Sequence, residues 1–114
     1  MTRACPVALS ILLAGMVSTA HAACEYPSEV QIPDGKSATQ AEISAASAAV
    51  KKYLADMEAY TACLDSEAAA LPADLKTPEA KALHIKRYNA AVDAMEGAAS
   101  RFNEELRAFK AASK

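Results

Sequence analysis

Cysteine, histidine and paired carboxylates carry most of the chemistry of small proteins, and this chain has few of them. It holds Cys5, Cys24 and Cys63, His21 and His84, and acid pairs such as Glu104 with Glu105 or Asp93 with Glu96. A metal centre needs three or four converging ligands, and C-x-x-C-H, a methionine cluster and a Gly-rich phosphate loop do not occur. Nucleophilic catalysis needs a Ser or Cys beside a base that a third group orients, and a single histidine outside the N-terminal leader is a poor basis for it. Neighbouring acids on a helix point apart and are solvated by default. The expectation is a non-enzymatic protein without metal or cofactor, in which His84 is a partly covered structural histidine.

The compartment follows from the N-terminus. Met1 to Arg3 carry a small positive charge, Val7 to Val17 form an apolar run, and Ala20, His21, Ala22 supply a small-residue cleavage pattern. That is the form of a secretory signal, so residues 1–22 are read as a signal peptide. A membrane anchor is the competing reading, since Pro6 to Ala23 lacks charge over a length at the lower limit for spanning a bilayer. Lipidation of Cys24 is another, although the residues before it lack the Leu-like residue such a signal usually offers. Cleavage removes Cys5 and leaves Cys24 and Cys63. In an exported chain two such cysteines most simply form a disulfide, with a free thiol or an intermolecular bridge as alternatives. A periplasmic or secreted protein with no stable membrane insertion after cleavage is expected.

The elements that would hold these residues are legible in the spacing. From Ile43 a seven-residue step lands on Val50, Met57, Leu64 and Leu71, and the half-step picks out Ala46, Tyr53 and Tyr60. One helix with one apolar stripe accounts for this. Overlapping capping-box patterns, Ser37 with Gln40 and Thr39 with Glu42, mark its start, and Leu71-Pro72 its end. Thr77, Pro78 and Glu79 are the cap, first position and first-turn acid of a second helix. There Ile85, Val92, Ala99 and Leu106 form one row and Tyr88, Met95, Phe102 and Phe109 the other, the spacing of a coiled-coil seam. The fold expected is all-α: an antiparallel hairpin over residues 39–114, with helices at about 39–70 and 78–112, joined by a link short enough to force the fold-back.

Residues 23–38 contain Pro27, Pro33 and Gly35 and are not helical. A bond from Cys24 to Cys63 obliges this segment to reach a point about 36 Å along the first helix, and fifteen extended residues span at most about 50 Å. It must therefore run back along the hairpin as an extended strap. Tyr26, Val30 and Ile32, at even spacing, would point together into the interhelical groove. Asn89 and Asn103, beside the stripe of the second helix, are placed to hydrogen-bond the strap's backbone. Two helices alone bury little surface at this size, so a strap, a crosslink or dimerisation is needed.

Composition narrows the function classes. The 114 residues include 29 Ala and 5% aromatics with no Trp, at a formal net charge of −2, which argues against both a Gly-rich β-sandwich and a basic nucleic-acid platform. Arg101, Phe102, Leu106, Arg107 and Phe109 extend beyond what the shorter first helix covers and form a candidate partner contact.

The signal peptide, the Ile32-Pro33-Asp34-Gly35 sequence, the run from Val50 to Leu64 and the stretch ending RFNEELRAFK together resemble an uncharacterised family of small exported proteobacterial helical proteins with two cysteines in the mature chain. The resemblance spans nearly all of the mature chain and implies a periplasmic or secreted setting; it carries no catalytic residues. The expected function is that of an exported cell-envelope interaction module, its partner an unknown envelope protein or a second copy of itself. The alternatives are a chaperone-like stress protein that bares its apolar stripe when the strap is released, and a small-ligand carrier using the groove under the strap.

Overall fold

Thr39 starts the first helix. Its Oγ1 accepts from the Glu42 amide at 3.2 Å while Glu42 Oε2 accepts from the Thr39 amide at 2.7 Å, so the capping box closes in both directions. The Thr39 N–H, and after it the Thr39 hydroxyl, hold the Glu42 carboxyl below the usual carboxylate range. In the computed structural model, which describes residues 23–114, this helix is α1 (Gln40–Ala70). The segment read as a signal peptide lies outside the described residues.

Leu71 leaves helical geometry, with φ −59° and ψ 134°, as a residue before proline must. A 3-10 turn (Ala73–Leu75) follows. Then Thr77 Oγ1 accepts from the Ala80 amide at 3.1 Å and opens α2 (Pro78–Ala112). The two helices pack against each other as an antiparallel hairpin, with no strand among the described residues. Both boundaries match the sequence reading to within a residue, because capping residues and prolines act locally.

α1 buries the stripe its spacing predicts: Ile43, Val50, Met57 and Leu64 in one row, Ala46, Tyr53 and Tyr60 in the other. Met57 is 0% exposed. Thr61, also buried, donates its hydroxyl to the Glu58 carbonyl at 2.9 Å and so leaves no unpaired polar group. The opposite side carries Ala41, Ala48, Ala55, Ala62 and Ala69, all exposed, where alanine favours the helix through propensity alone.

α2 departs from expectation. Its buried residues are Ala91 and Ala98, which lie one position before Val92 and Ala99. Tyr88, Met95 and Phe102 pack at the flank of the core, but Ile85 is 46% exposed. The helix is turned so that the row His84, Ala91, Ala98, Glu105 faces inward in place of the row Ile85, Val92, Ala99, Leu106. The physical reason is volume. α1 fills the seam with Tyr53, Met57 and Tyr60, and close packing then requires small side chains opposite them.

The segment before α1 is the expected strap. Cys24 is bonded to Cys63, with Cα atoms 5.7 Å apart. From there the chain runs antiparallel to α1. Val30 is buried in the core and Ile32 packs against it. Tyr26 departs from the inward alternation: it is 51% exposed and meets Tyr60 edge-on, with ring centroids 5.1 Å apart. A phenol at the rim buries its ring face while its hydroxyl stays near water.

At its far end the strap turns on Asp34, whose carbonyl accepts from the Ser37 and Ala38 amides and whose Oδ1 accepts from Lys36 N. Gly35 then sits directly on the backbone of α2. Its N–H donates to Glu105 Oε2 at 2.7 Å. A Cβ there would collide with the Glu105 carbonyl and lie 2.9 Å from the Phe109 amide nitrogen. Gly97 is the contrast, since a Cβ there meets nothing within 4 Å. Gly35→Ala is therefore expected to cost about 1–3 kcal/mol through overpacking against a backbone that cannot yield, whereas Gly97→Ala is expected to stabilise by about 1 kcal/mol. Urea denaturation of the two variants checks this, and equal effects at both glycines would show that the strap does not touch α2 as described.

Candidate functional site

Chemistry-bearing groups are mostly occupied. Cys24 and Cys63 are joined to each other, and among the described residues no three His, Cys, Asp or Glu side chains converge in a metal-like group. His84, at the inner edge of α2, has its Nε2 3.1 Å from Asp65 Oδ1 of α1. One turn on, Arg87 reaches Glu67 at 3.2 Å. Hydrogen bonding to the Tyr60 hydroxyl, with Glu67 beside it, holds the Arg87 guanidinium firmly in its charged form. Tyr53 lies under the strap, and burial, then the nearby Tyr26, pushes its phenol above the ordinary value. These contacts form rungs that align α1 with α2 and the strap with both.

The polar ties of the strap differ from the sequence expectation. Asn89 and Asn103 are exposed, and the tie from α2 to the strap backbone comes from Glu105. Arg101 adds an ion pair with Glu29 at 3.5 Å. Periodicity alone offered a clue: Glu105 falls in the seven-residue row of His84, Ala91 and Ala98, a polar residue in register with two buried alanines. What no spacing rule shows is that its partner lies 70 residues earlier in the chain.

The C-terminal residues read as a partner contact divide between duties. Arg101 is engaged by the strap, Phe102 packs on the core, and the backbone nitrogen of Phe109, itself half-buried, lies beneath the turn at Gly35. Leu106 is half-buried and Arg107 exposed. The overhang expected from helix lengths is thus covered by the strap's turn, because the segment entering α1 continues past that helix's first residue.

Two concave regions bear on ligand binding. The groove under the strap, considered as a carrier site, is filled by Val30 and Ile32. An open cleft of about 660 Å³ lies at the hairpin tip among Ala68, Leu71, Thr77, Ala80, Lys81 and His84, where the helices separate toward the link.

The strap closes only one side of the hairpin, the side of Cys63, Tyr60 and Tyr53 on α1 and of Ala94, Ala98 and Arg101 on α2. The other side is left without a third layer. There the row displaced from the seam, Ile85, Val92, Ala99 and Leu106, runs beside Leu54 of α1. Ile85 is exposed and the others are half-buried. Its seven-residue spacing carries this row over about 32 Å of α2. No helix among them is long and apolar enough to cross a membrane.

No family model, curated protein or solved structure matches the chain.

Proposed function

We propose that this is an exported, non-enzymatic interaction module of the cell envelope, a hairpin clamped by the Cys24–Cys63 disulfide that works through the apolar face opposite the strap. The observation that carries the reading is the row Ile85, Val92, Ala99 and Leu106, whose spacing belongs to a helix seam and of which Ile85 is exposed and the other three are half-buried. Apolar rows of that length are normally covered by another helix. The disulfide supports an oxidising compartment, in keeping with the leader-like N-terminus. Cys24, Cys63, His84 and Glu105 are engaged in ties between elements, and Asp93, Glu96 and Glu104 stand exposed on α2, so the reading rests on a surface and not on a reaction.

The test is site-specific photocrosslinking in living cells. A photoreactive residue at position 85 is expected to give defined adducts in the periplasmic or secreted fraction. The same residue at position 83, a leucine 57% exposed on another side of α2, is expected to give none. No adduct from position 85, or equal adducts from both, refutes the module. Mass spectrometry of the adduct separates a second copy of the chain from a different envelope protein.

A second reading has its own support. The strap covers Tyr53, Met57 and Tyr60 and is held by one reducible bond, so its release would bare a client-binding stripe as a stress chaperone requires. Reduced protein that fails to slow the aggregation of a denatured model enzyme, under conditions where the strap is free, refutes that alternative.

A further inference from the structure

The open face has a specific match in a second copy of the same chain. We infer that two hairpins pair through it into a four-helix bundle, with the twofold axis parallel to the helices and each α1 facing the α2 of the other copy. The inference rests on the reading of this face as the working surface and names its partner.

The area of the face suits a pair. The row from Ile85 to Leu106 is about 32 Å long, and two helices side by side are about 20 Å across, so each copy would bury about 600 Å² and the pair about 1,200 Å². That reaches the lower end of stable protein interfaces. It supplies the layer that the strap provides on the opposite side, and the heptad spacing of Ile85, Val92, Ala99 and Leu106 suits knobs-into-holes packing.

The charges beside the face select an axis. Within one hairpin, Asp65 stands beside His84 and Glu67 beside Arg87, so residues whose numbers add to about 150 share a level along the axis. A parallel twofold axis preserves those levels between copies. Lys51 then meets Glu96 of the second copy, a pair that occurs twice. Both residues are exposed, and each lies on the flank of its helix that borders the apolar face. A twofold axis perpendicular to the helices and centred on α2 instead sets Glu96 against its own copy. Exposed pairs contribute little to affinity, but like charges at a seam discriminate between arrangements. The parallel axis is the one the charges favour.

Sedimentation equilibrium of the oxidised mature protein, from roughly 1 to 200 µM, tests the pairing. The wild-type chain is expected to be a dimer in this range. Ile85→Glu, at a site exposed enough to leave the fold intact by circular dichroism, is expected to weaken association at least about tenfold, the cost of burying an unpaired carboxylate at the seam. Leu83→Glu is expected to change nothing. Lys51→Glu should weaken the dimer, and adding Glu96→Lys should restore it. A wild-type chain that stays monomeric throughout, or an Ile85→Glu dimer as tight as wild type, overturns the inference; a double charge swap that fails to restore association overturns its axis. Monomeric protein that still crosslinks from position 85 to a different envelope protein would refute self-pairing and leave the interaction module standing, whereas no adduct would remove both.

Discussion

Replacing Cys24 and Cys63 together by serine is expected to lower stability by about 4 kcal/mol, the chain-entropy value for a closed loop of this size. The bond joins residues 39 apart, and within that loop lie the whole strap and about the first three quarters of α1. Both cysteines are half-buried, so the serine hydroxyls add little desolvation penalty and loop entropy dominates the difference. The strap contributes only a few apolar anchors, chiefly Val30 and Ile32, beside the Gly35–Glu105 hydrogen bond and the Glu29–Arg101 ion pair. Without the bond these must hold the segment against its full conformational freedom. Urea unfolding of the double variant, with wild type in reductant as an independent route to the same state, measures the loss. A loss under about 1 kcal/mol by both routes would mean that the strap is held by its noncovalent contacts alone and that the loop is already constrained in the unfolded chain. Hydrogen exchange gives the local counterpart: protection of the Gly35 amide should fall further than that of mid-α1 amides, since the strap detaches before the hairpin unfolds.

Met57→Ala is expected to cost about 2–5 kcal/mol, as for other large-to-small changes at fully buried sites. Met57 is 0% exposed and lies in the middle of the seam, in the stretch of α1 where Ala91 and Ala98 of α2 provide the opposing small surface. Alanines cannot move in to fill the vacated space, and the disulfide at Cys63 and the strap limit collapse from the other side. Most of the cavity should therefore persist, which places the cost in the upper half of the range. Leu83→Ala is the control: at 57% exposure it is expected to change stability by no more than about 0.5 kcal/mol. Equilibrium urea melts of both variants decide the point. Equal midpoints for the two would mean that α2 does not present its alanine row to α1 and that the seam is the Val92–Phe102 face after all.

That last contrast separates what local pattern reveals from what it hides. The capping box at Thr39, the proline break after Leu71 and the Thr77-Pro78 start act within four residues of chain, so the spacing shows them directly. The strap was legible for a different reason: a bond between Cys24 and Cys63 leaves a fifteen-residue segment only one direction in which to reach. Heptad counting on α2 was less decisive. It showed two large-residue rows in register and a third row of His84, Ala91, Ala98 and Glu105 beside them, and a count of hydrophobicity prefers the larger residues. Choosing between adjacent rows depends on what the other helix brings to the same level, and that is a property of the pair.

The candidate surface follows from that choice. Had Ile85, Val92, Ala99 and Leu106 faced α1, the hairpin would have had a closed seam and a polar exterior. With the alanine row inside, those residues border the side the strap leaves open. The asparagines named as strap supports illustrate the same limit, since Asn89 and Asn103 flank the stripe on its open side, while Arg101 and Glu105 lie toward the strap. A helical wheel ranks positions by hydrophobicity, but it does not say on which side a third element will lie.

By itself, then, the amino-acid sequence determined the two helices and their ends, the fold-back and the path of the strap, because each follows from short-range chemistry or from a length that a covalent bond must span. The tertiary structure alone decided the rotation of α2, the seat of Gly35 against the Glu105 carbonyl and the side on which an apolar face stays open. Those depend on the volumes that Tyr53, Met57 and Tyr60 bring from the opposite helix, and packing density is settled only where both surfaces meet.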